Sequence, residues 1–444
     1  MAFMHVCTML SLLLILFSYL LQLIRDTRRR LPPGPCPLPL IGSLHQIGHL
    51  PHRSFASLAK RHGPLMTVRL GTATCVVASS PDTARAVLQT HNASLAGRGR
   101  QDAWGAGGHA ENSVFVLPPG RKWRLLRRLG AAHMFSKRRI EQLVPVCDEI
   151  VGDLVRRVAE LAAADVVVDL LWRAMFTDGL DDDVAMRGEL CDVVREATEL
   201  LGTPNVSDFF PAVAALDLQG IRRRTAKLME KTYRVIDAQI DRRMRSRGLA
   251  GGHGEAKDLL DVLLDMSKED KEDGTGDLFV GGSDSTSTTI EWAMAELLQN
   301  PEIIKETLRL HPIVPLRLYE AEGTVEIDGY TIPKGSKVTV NAWAIHQNIE
   351  VWIQPEKFLP ERFIGKDIDS LGRHFELIPF GSGRHICIGL PLANRMLHLI
   401  LGSFMHQFEW AMSETVNENG LDMAEKFGLV VSMATRPNIM ARTM

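Results

Sequence analysis

No single sign of charge dominates this chain of 444 residues, in which 51 Lys and Arg stand against 53 Asp and Glu for a formal net charge of -2. Neither the whole chain nor any long tail carries the sustained basic excess of a nucleic-acid binder, so that function class is excluded. Cysteine is sparse as well. Cys7, Cys36, Cys75, Cys147, Cys191 and Cys387 form no CxxC pair and no metal-ligand spacing, which argues against a disulfide frame and for reduced thiols. No internal repeat is visible. The first 24 residues lack charged side chains altogether, and around the run Leu12-Leu13-Leu14-Ile15-Leu16-Phe17 they are long enough to span a bilayer. The positive charge that precedes a cleaved signal segment is missing there. It follows instead, as Arg25, Arg28, Arg29 and Arg30, and the positive-inside rule then leaves the rest of the chain in the cytosol.

What the chain does have is bulk and apolar character: at 45% hydrophobic residues it can bury a large core. Prolines at 32, 33, 35, 37 and 39 fix φ and remove backbone donors, so an extended, stiff connector is expected. The expected organisation is a transmembrane anchor over 1–24, a basic and proline-rich hinge over 25–40, and one large domain over 41–444. Residues 65–78 read as two short β runs around Gly71, and Pro81 with Asp82 opens a helix. Glycine, asparagine and proline over 99–120 break the periodicity and predict a long mobile loop. A second polar, glycine-rich break covers 248–257. Strand signals return only over 323–332 and 337–341, so the expected fold class is mainly α with small β-sheets.

Four short motifs carry chemistry. Phe380-Gly381-Ser382-Gly383-Arg384-His385-Ile386-Cys387-Ile388-Gly389 presents one cysteine on a glycine-loosened loop, with Arg384 as a fixed positive charge suited to a thiolate. Trp123 and Arg127 lie at i and i+4 of a basic segment, share a helix face and can reach one anion. Glu306 and Arg309 lie three apart, where they pair and leave arginine donors for a third partner; Arg362, in Pro360-Glu361-Arg362-Phe363, is the candidate. Gly281-Gly282-Ser283-Asp284-Ser285-Thr286 precedes a helical run and is read as part of one long helix, where glycine lets a ligand approach the backbone. Taken singly, each has a plainer reading: a buried structural cysteine, a solvated basic face, a surface ion pair, a helix cap.

In their order along the chain, from Trp123 first to Cys387 last, the four motifs resemble those of cytochromes P450. The cysteine segment is similar to the family's Phe-x-x-Gly-x-Arg-x-Cys-x-Gly loop at Phe380, Gly383, Cys387 and Gly389. The resemblance covers essentially the whole chain and is nearest to plant microsomal members of the geraniol-hydroxylase and diterpenoid-hydroxylase branch. It implies the cytochrome P450 fold, a single large haem domain behind an N-terminal transmembrane helix. It implies haem b (iron protoporphyrin IX) with Cys387 as the axial ligand of the iron, a thiolate that favours O–O cleavage. Trp123, Arg127, Phe380, Arg384 and His385 would complete the cofactor site, the first two by donating to a haem propionate. Asp284, Ser285 and Thr286 would relay protons to dioxygen, and Glu306, Arg309 and Arg362 would lock the core behind the haem. The implied activity is hydroxylation of an apolar, terpenoid substrate with O2. Its electrons would come from NADPH through NADPH-cytochrome P450 reductase, docked on Arg124, Arg128, Lys137, Arg138 and Arg139. The implied setting is the endoplasmic reticulum membrane, crossed once, with the catalytic domain in the cytosol.

The chain also departs from the family pattern. Only residues 301–305 separate the end of the long helix from Glu306, and the approach to Gly281 is short as well. Five residues reach at most about 17 Å even when extended, so a distorted bridge between two core helices is expected. Asn300, Pro301 and Glu302 read as the start of one short helix running through Arg309 to Pro312. Leu316-Arg317-Leu318-Tyr319-Glu320-Ala321 lacks the proline and basic residue in the places where the family sets them against a propionate. His385 replaces an arginine, and a neutral imidazole is expected to give a weaker, pH-dependent contact. Ser285 keeps a hydroxyl but lacks the methyl that restrains χ1 of the family's threonine, from which leakier oxygen activation follows. The shortened connector supports an alternative of a different class, a catalytically inactive P450-like membrane protein.

Overall fold

The computed structural model describes residues 28–99, 101–156, 184–249, 276–297, 304–412, 420–435 and 439–443, residues 260 and 264, and scattered residues before 28. Helices prevail, and the strands gather into small sheets, as the periodicity predicts. The main sheet contains β1 (Leu65–Leu70), β2 (Ala73–Ala78), β3 (Leu316–Glu320) and, beyond the hairpin of β4 (Val325–Ile327) and β5 (Tyr330–Ile332), β6 (Lys337–Asn341). Its order is β1-β2-β6-β3, with β2 and β6 parallel and the other two pairings antiparallel. The turn between β1 and β2 sits at Gly71, whose φ of +61° is a conformation side chains rarely adopt. The sequence reading missed β3, which proves central to the site.

The period-2 alternation of the strands sorts their side chains into two cores. Leu65, Val76, Ala78, Val338 and Val340 fall in one cluster with Leu88, Leu95, Phe375 and Ile378. Met66, Val68, Cys75 and Val77 fall in another, against Phe55 and Leu58 of the helix Pro51–His62. That helix has proline in its first turn, and its last turn carries Lys60, Arg61 and His62 before Gly63 ends it.

The helix Gly276–Leu297 is the structural axis of the site. Thr286 to Ile290 and Trp292 to Glu296 are all buried, so its middle has no solvent face. It packs on the helix Leu390–Gln407, whose buried residues Leu390, Leu397, Leu401 and Phe404 recur at helical spacing. Ser283 to Thr286 therefore lie inside a helix that begins at Gly276, which rules out the helix-cap reading of that segment.

Three expectations change in detail. Residues 99–120 contain a 3-10 helix, Asp102–Glu111, pinned by the Asp102 N–H donating to Asp208 at 2.8 Å and by the 3.0 Å ion pair between Arg222 and Asp102. Glycine content suggested mobility, but tertiary partners hold the segment. The proline-rich hinge is extended but seated, since Pro33 O accepts from the Thr67 N–H at 2.8 Å. Among the described residues, no helix is long and apolar enough to cross a membrane. The expected anchor over 1–24 lies mostly outside the described residues, as do the break over 248–257 and residues 298–303 of the shortened connector. Beyond that connector a short helix does form, Ile304–Leu310.

Candidate functional site

The cysteine loop is closed by its own backbone. Cys387 donates its N–H to Phe380 O at 2.9 Å, and the Ser382 hydroxyl donates to Gly372 O at 2.6 Å. Gly381 and Gly383 take φ of +76° and +69°. A Cβ at Gly383 would lie 2.0 Å from Leu88 O, so no other residue fits there. The sulfur stands at the N-terminus of Leu390–Gln407, an 18-residue helix. Burial raises the pKa of Cys387, opposed by the Gly389 N–H, by the charges of Arg317 and Arg127, and by the Leu390 N–H. Solvent nevertheless reaches the residue. These are the features that hold a thiolate for metal binding: backbone donors at a helix start and nearby guanidiniums. The fixed charges bearing on the sulfur are thus Arg317 and Arg127, whereas Arg384, the expected one, is exposed.

Around this loop the fold gathers three guanidiniums. Arg127 comes from the helix Arg121–Leu129 and lies over the Trp123 ring, 5.3 Å from its centroid. Arg317 comes from β3, and Arg98 from the segment before the 3-10 helix. Burial lowers the pKa of all three; Cys387 and Tyr319 offset this for Arg317, Cys387 for Arg127 and Tyr319 for Arg98. Arg98 in turn works against Arg127 and Arg317, which places the three charges close together. No carboxylate among the described residues forms an ion pair with any of them. The Nε of Arg98 and the Nε of Arg317 are buried without a hydrogen-bond partner. These half-buried guanidiniums keep their protons, so such a cluster calls for an anion. A haem, with two propionates beside its iron, fits these residues in charge and in the placement of the thiol.

Two expected donors are already engaged. The Trp123 indole N–H donates to Val114 O at 3.2 Å, and His385 Nε2 donates to Ala96 O at 2.7 Å. Burial, with Arg98, Arg127 and Arg384, pushes the pKa of His385 down to about 3, against the bond to Ala96. Its Nε2 proton is thus spent on the backbone rather than on an anion. Phe380 is half-buried at the start of the loop. Arg98 and Arg317 are the functional residues that sequence reasoning missed. Arg98 lies in no motif, and Arg317 stands on a strand that was not foreseen.

The acid and hydroxyl residues enter on a different element, the helix Gly276–Leu297. Ser285 is half-buried and Thr286 is buried, while the side chain of Asp284 lies outside the described residues. Thr289 Oγ1 donates to Ser285 O at 2.7 Å, a back-bond of the kind that bends helices.

Glu306, Arg309 and Arg362 meet in the fold, the first two buried and Arg362 half-buried. Glu306 accepts from Arg309 at 2.7 and 2.8 Å, from Arg362 at 3.0 Å and from the Leu359 N–H at 2.8 Å. The remaining donors of Arg309 reach the carbonyls of His346, Pro355 and Lys357. His346 links this cluster to the cysteine loop, because its Nε2 accepts from the Ile378 N–H at 3.0 Å. Burial, Arg309 and Arg317 push its pKa down to about 3.

The connector expected to be distorted lies mostly outside the described residues, but the residues that flank it are bonded to each other. Glu296 and His311 lie on either side of it, and their side chains meet at 2.6 Å. Trp292 stacks on His311 at 4.0 Å between centroids and donates to Val431 O at 3.1 Å.

Comparison with known proteins agrees with the geometry. The family model for cytochrome P450 matches residues 32–305 and 302–439, two pieces that meet at the shortened connector. The chain is 38% identical to cytochrome P450 76T24 of Catharanthus roseus, covering 93% of each chain. It is 38% identical to geraniol 8-hydroxylase of Swertia mussotii over 91% of this chain and 92% of that one. It is 37% identical to carnosic acid synthase of Rosmarinus officinalis over 91% and 93%. The first alignment runs to 466 positions while covering about 413 of the 444 residues, so roughly 53 positions are gaps in this chain.

Proposed function

We propose that this chain, which belongs to the cytochrome P450 family and is by that membership a monooxygenase, hydroxylates an apolar terpenoid. The observation that carries the reading is the pairing of a thiol, held by backbone donors at a helix start, with three guanidiniums that have no carboxylate partner. A thiolate-bound haem supplies the activation of dioxygen. In this reading Cys387 holds the iron, Arg98, Arg127 and Arg317 neutralise the propionates, and Glu306, Arg309 and Arg362 keep the loop in place. Asp284, Ser285 and Thr286 deliver protons from the helix Gly276–Leu297. The terpenoid substrate is supported by the names of the relatives, geraniol 8-hydroxylase among them.

Electrons come from NADPH through its cytochrome P450 reductase. The exposed Arg124, Arg128, Lys137 and Arg138, with half-buried Arg139, offer an acidic partner a basic face. Membrane attachment through residues 1–24 is supported by their uncharged apolar sequence and, among the described residues, by the exposure of Val6, Met9, Leu13, Phe17, Leu20 and Ile24. In membranes holding the full chain and the reductase, NADPH-dependent hydroxylation of geraniol or a related terpenoid alcohol is expected. The Cys387→Ala protein should show none. A second reading, a P450-like protein without catalysis, is favoured by the break in the family match at 302–305. Haem-loaded protein that oxidises no terpenoid and consumes no NADPH would select it.

A further inference from the structure

The cysteine loop has an imidazole at position 385 where the family pattern has an arginine, and its ring N–H is bonded to the backbone rather than turned to an anion. Its Nε2 donates to the Ala96 carbonyl at 2.7 Å. That bond spends the Nε2 proton on the backbone. Trp123 and Tyr319 pack on the ring at 5.0 and 5.8 Å between centroids, so it is fixed in that pose.

Arg317 occupies the space beside it. Register on β6 pairs Arg317 with Val340 and directs it to the same face as buried Tyr319. Its Nη2 donates to Ile378 O at 2.7 Å and to Pro379 O, the carbonyls just before Phe380. Its Nη1 lies 3.5 Å from where a Cβ of Gly381 would stand. One terminal nitrogen is thus anchored on the cysteine loop, while the buried Nε has no partner. Arg98 is held in a similar way. It donates to Leu318 O at 2.9 Å, lies over Tyr319, and its own Nε has no partner. Its segment is fastened on two sides, by the Glu320 N–H donating to Gly97 O at 2.8 Å and by the bond from His385 to Ala96.

We propose that Arg317, together with Arg98, supplies the propionate-binding guanidinium that position 385 lacks, and that His385 is a positioning residue that fixes the segment carrying Arg98. The proposal rests on the haem reading above. It moves the anion contact from the cysteine loop itself onto the neighbouring strand and the 96–98 segment.

The test is the rate at which haem leaves the full-length chain for excess apomyoglobin, measured with protohaem and with protohaem dimethyl ester, whose propionates are masked. Arg317→Gln should speed loss of protohaem by about tenfold or more, the size of one charge-assisted hydrogen bond. It should leave loss of the ester within about twofold. Arg317→Lys, which keeps the charge, should fall between. His385→Gln keeps an N–H donor and should resemble the wild type. His385→Phe should speed loss, and that effect should vanish in an Arg98→Gln background, which a purely structural role would not produce.

Equal acceleration for protohaem and ester would make Arg317 a structural residue and overturn the proposal. So would an unchanged rate in Arg317→Gln, or a His385→Gln effect as large as that of Arg317→Gln. If the wild type itself takes up no haem with a red-shifted carbon monoxide band, the haem reading falls and the proposal with it. A normal band with no effect of Arg317→Gln removes the proposal alone.

Discussion

Two arginine clusters lie on either side of His346, and they differ in how their charges are met. Around Glu306 every donor of Arg309 has an acceptor: both carboxylate oxygens and three carbonyls. Around Cys387, Arg98 and Arg317 each keep a buried nitrogen with no partner, and the described residues provide no carboxylate. A cluster satisfied from within does structural work. One left cationic beside a thiol is suited to a ligand.

Removing a charge should therefore have opposite consequences in the two places. Glu306→Ala leaves two buried guanidiniums unpaired and should cost about 3–5 kcal/mol of folding stability, read as the denaturant midpoint. Across the shortened junction, Glu296→Ala frees His311 and should cost about 1–3 kcal/mol in the same measurement. In the ligand cluster, Arg127→Gln should leave the haem-free protein as stable as before or more so, since it relieves like-charge repulsion. The loaded protein should meanwhile lose haem about tenfold faster. A large loss of stability in haem-free Arg127→Gln would erase the distinction between the clusters.

The residue between them gives a pH signature. His346 is neutral in the fold, with a pKa of about 3, whereas the unfolded chain takes up that proton near pH 6.5. Its contribution to stability is complete above about pH 6.5 and falls away as the pH drops toward 3. Thermal midpoints measured across that window should fall less steeply in His346→Gln. The smallest effect is expected on the distal helix, where Ser285→Thr restores the methyl that restrains χ1. The ratio of product formed to NADPH consumed should rise, and an unchanged ratio would remove the idea that Ser285 leaks.

The parts of this site that were legible in the sequence are those carried by local spacing. Cys387 on its glycine turns, the pairing of Glu306 with Arg309, and the buried run after Gly276 each follow from residues a few positions apart. What was not legible depends on partners far away in the chain. Nothing near His385 announces that its N–H is taken by Ala96, 289 residues earlier. Nothing near Trp123 says whether its indole will meet an anion or Val114 O. β3 was hidden because Arg317 interrupts the apolar pattern of the strand, yet that interruption is what brings a guanidinium to the sulfur. Likewise the connector at 301–305 reads as a break, while the bond from Glu296 to His311 that spans it joins residues fifteen apart.

The most direct test of the central claim is the absorption spectrum of the full chain, reduced and exposed to carbon monoxide, after loading with one equivalent of haem. A thiolate-ligated iron predicts the strongly red-shifted Soret band, lost in Cys387→Ala. Folded wild-type protein that gives no such band, or a Cys387→Ala protein that keeps it, would contradict the account.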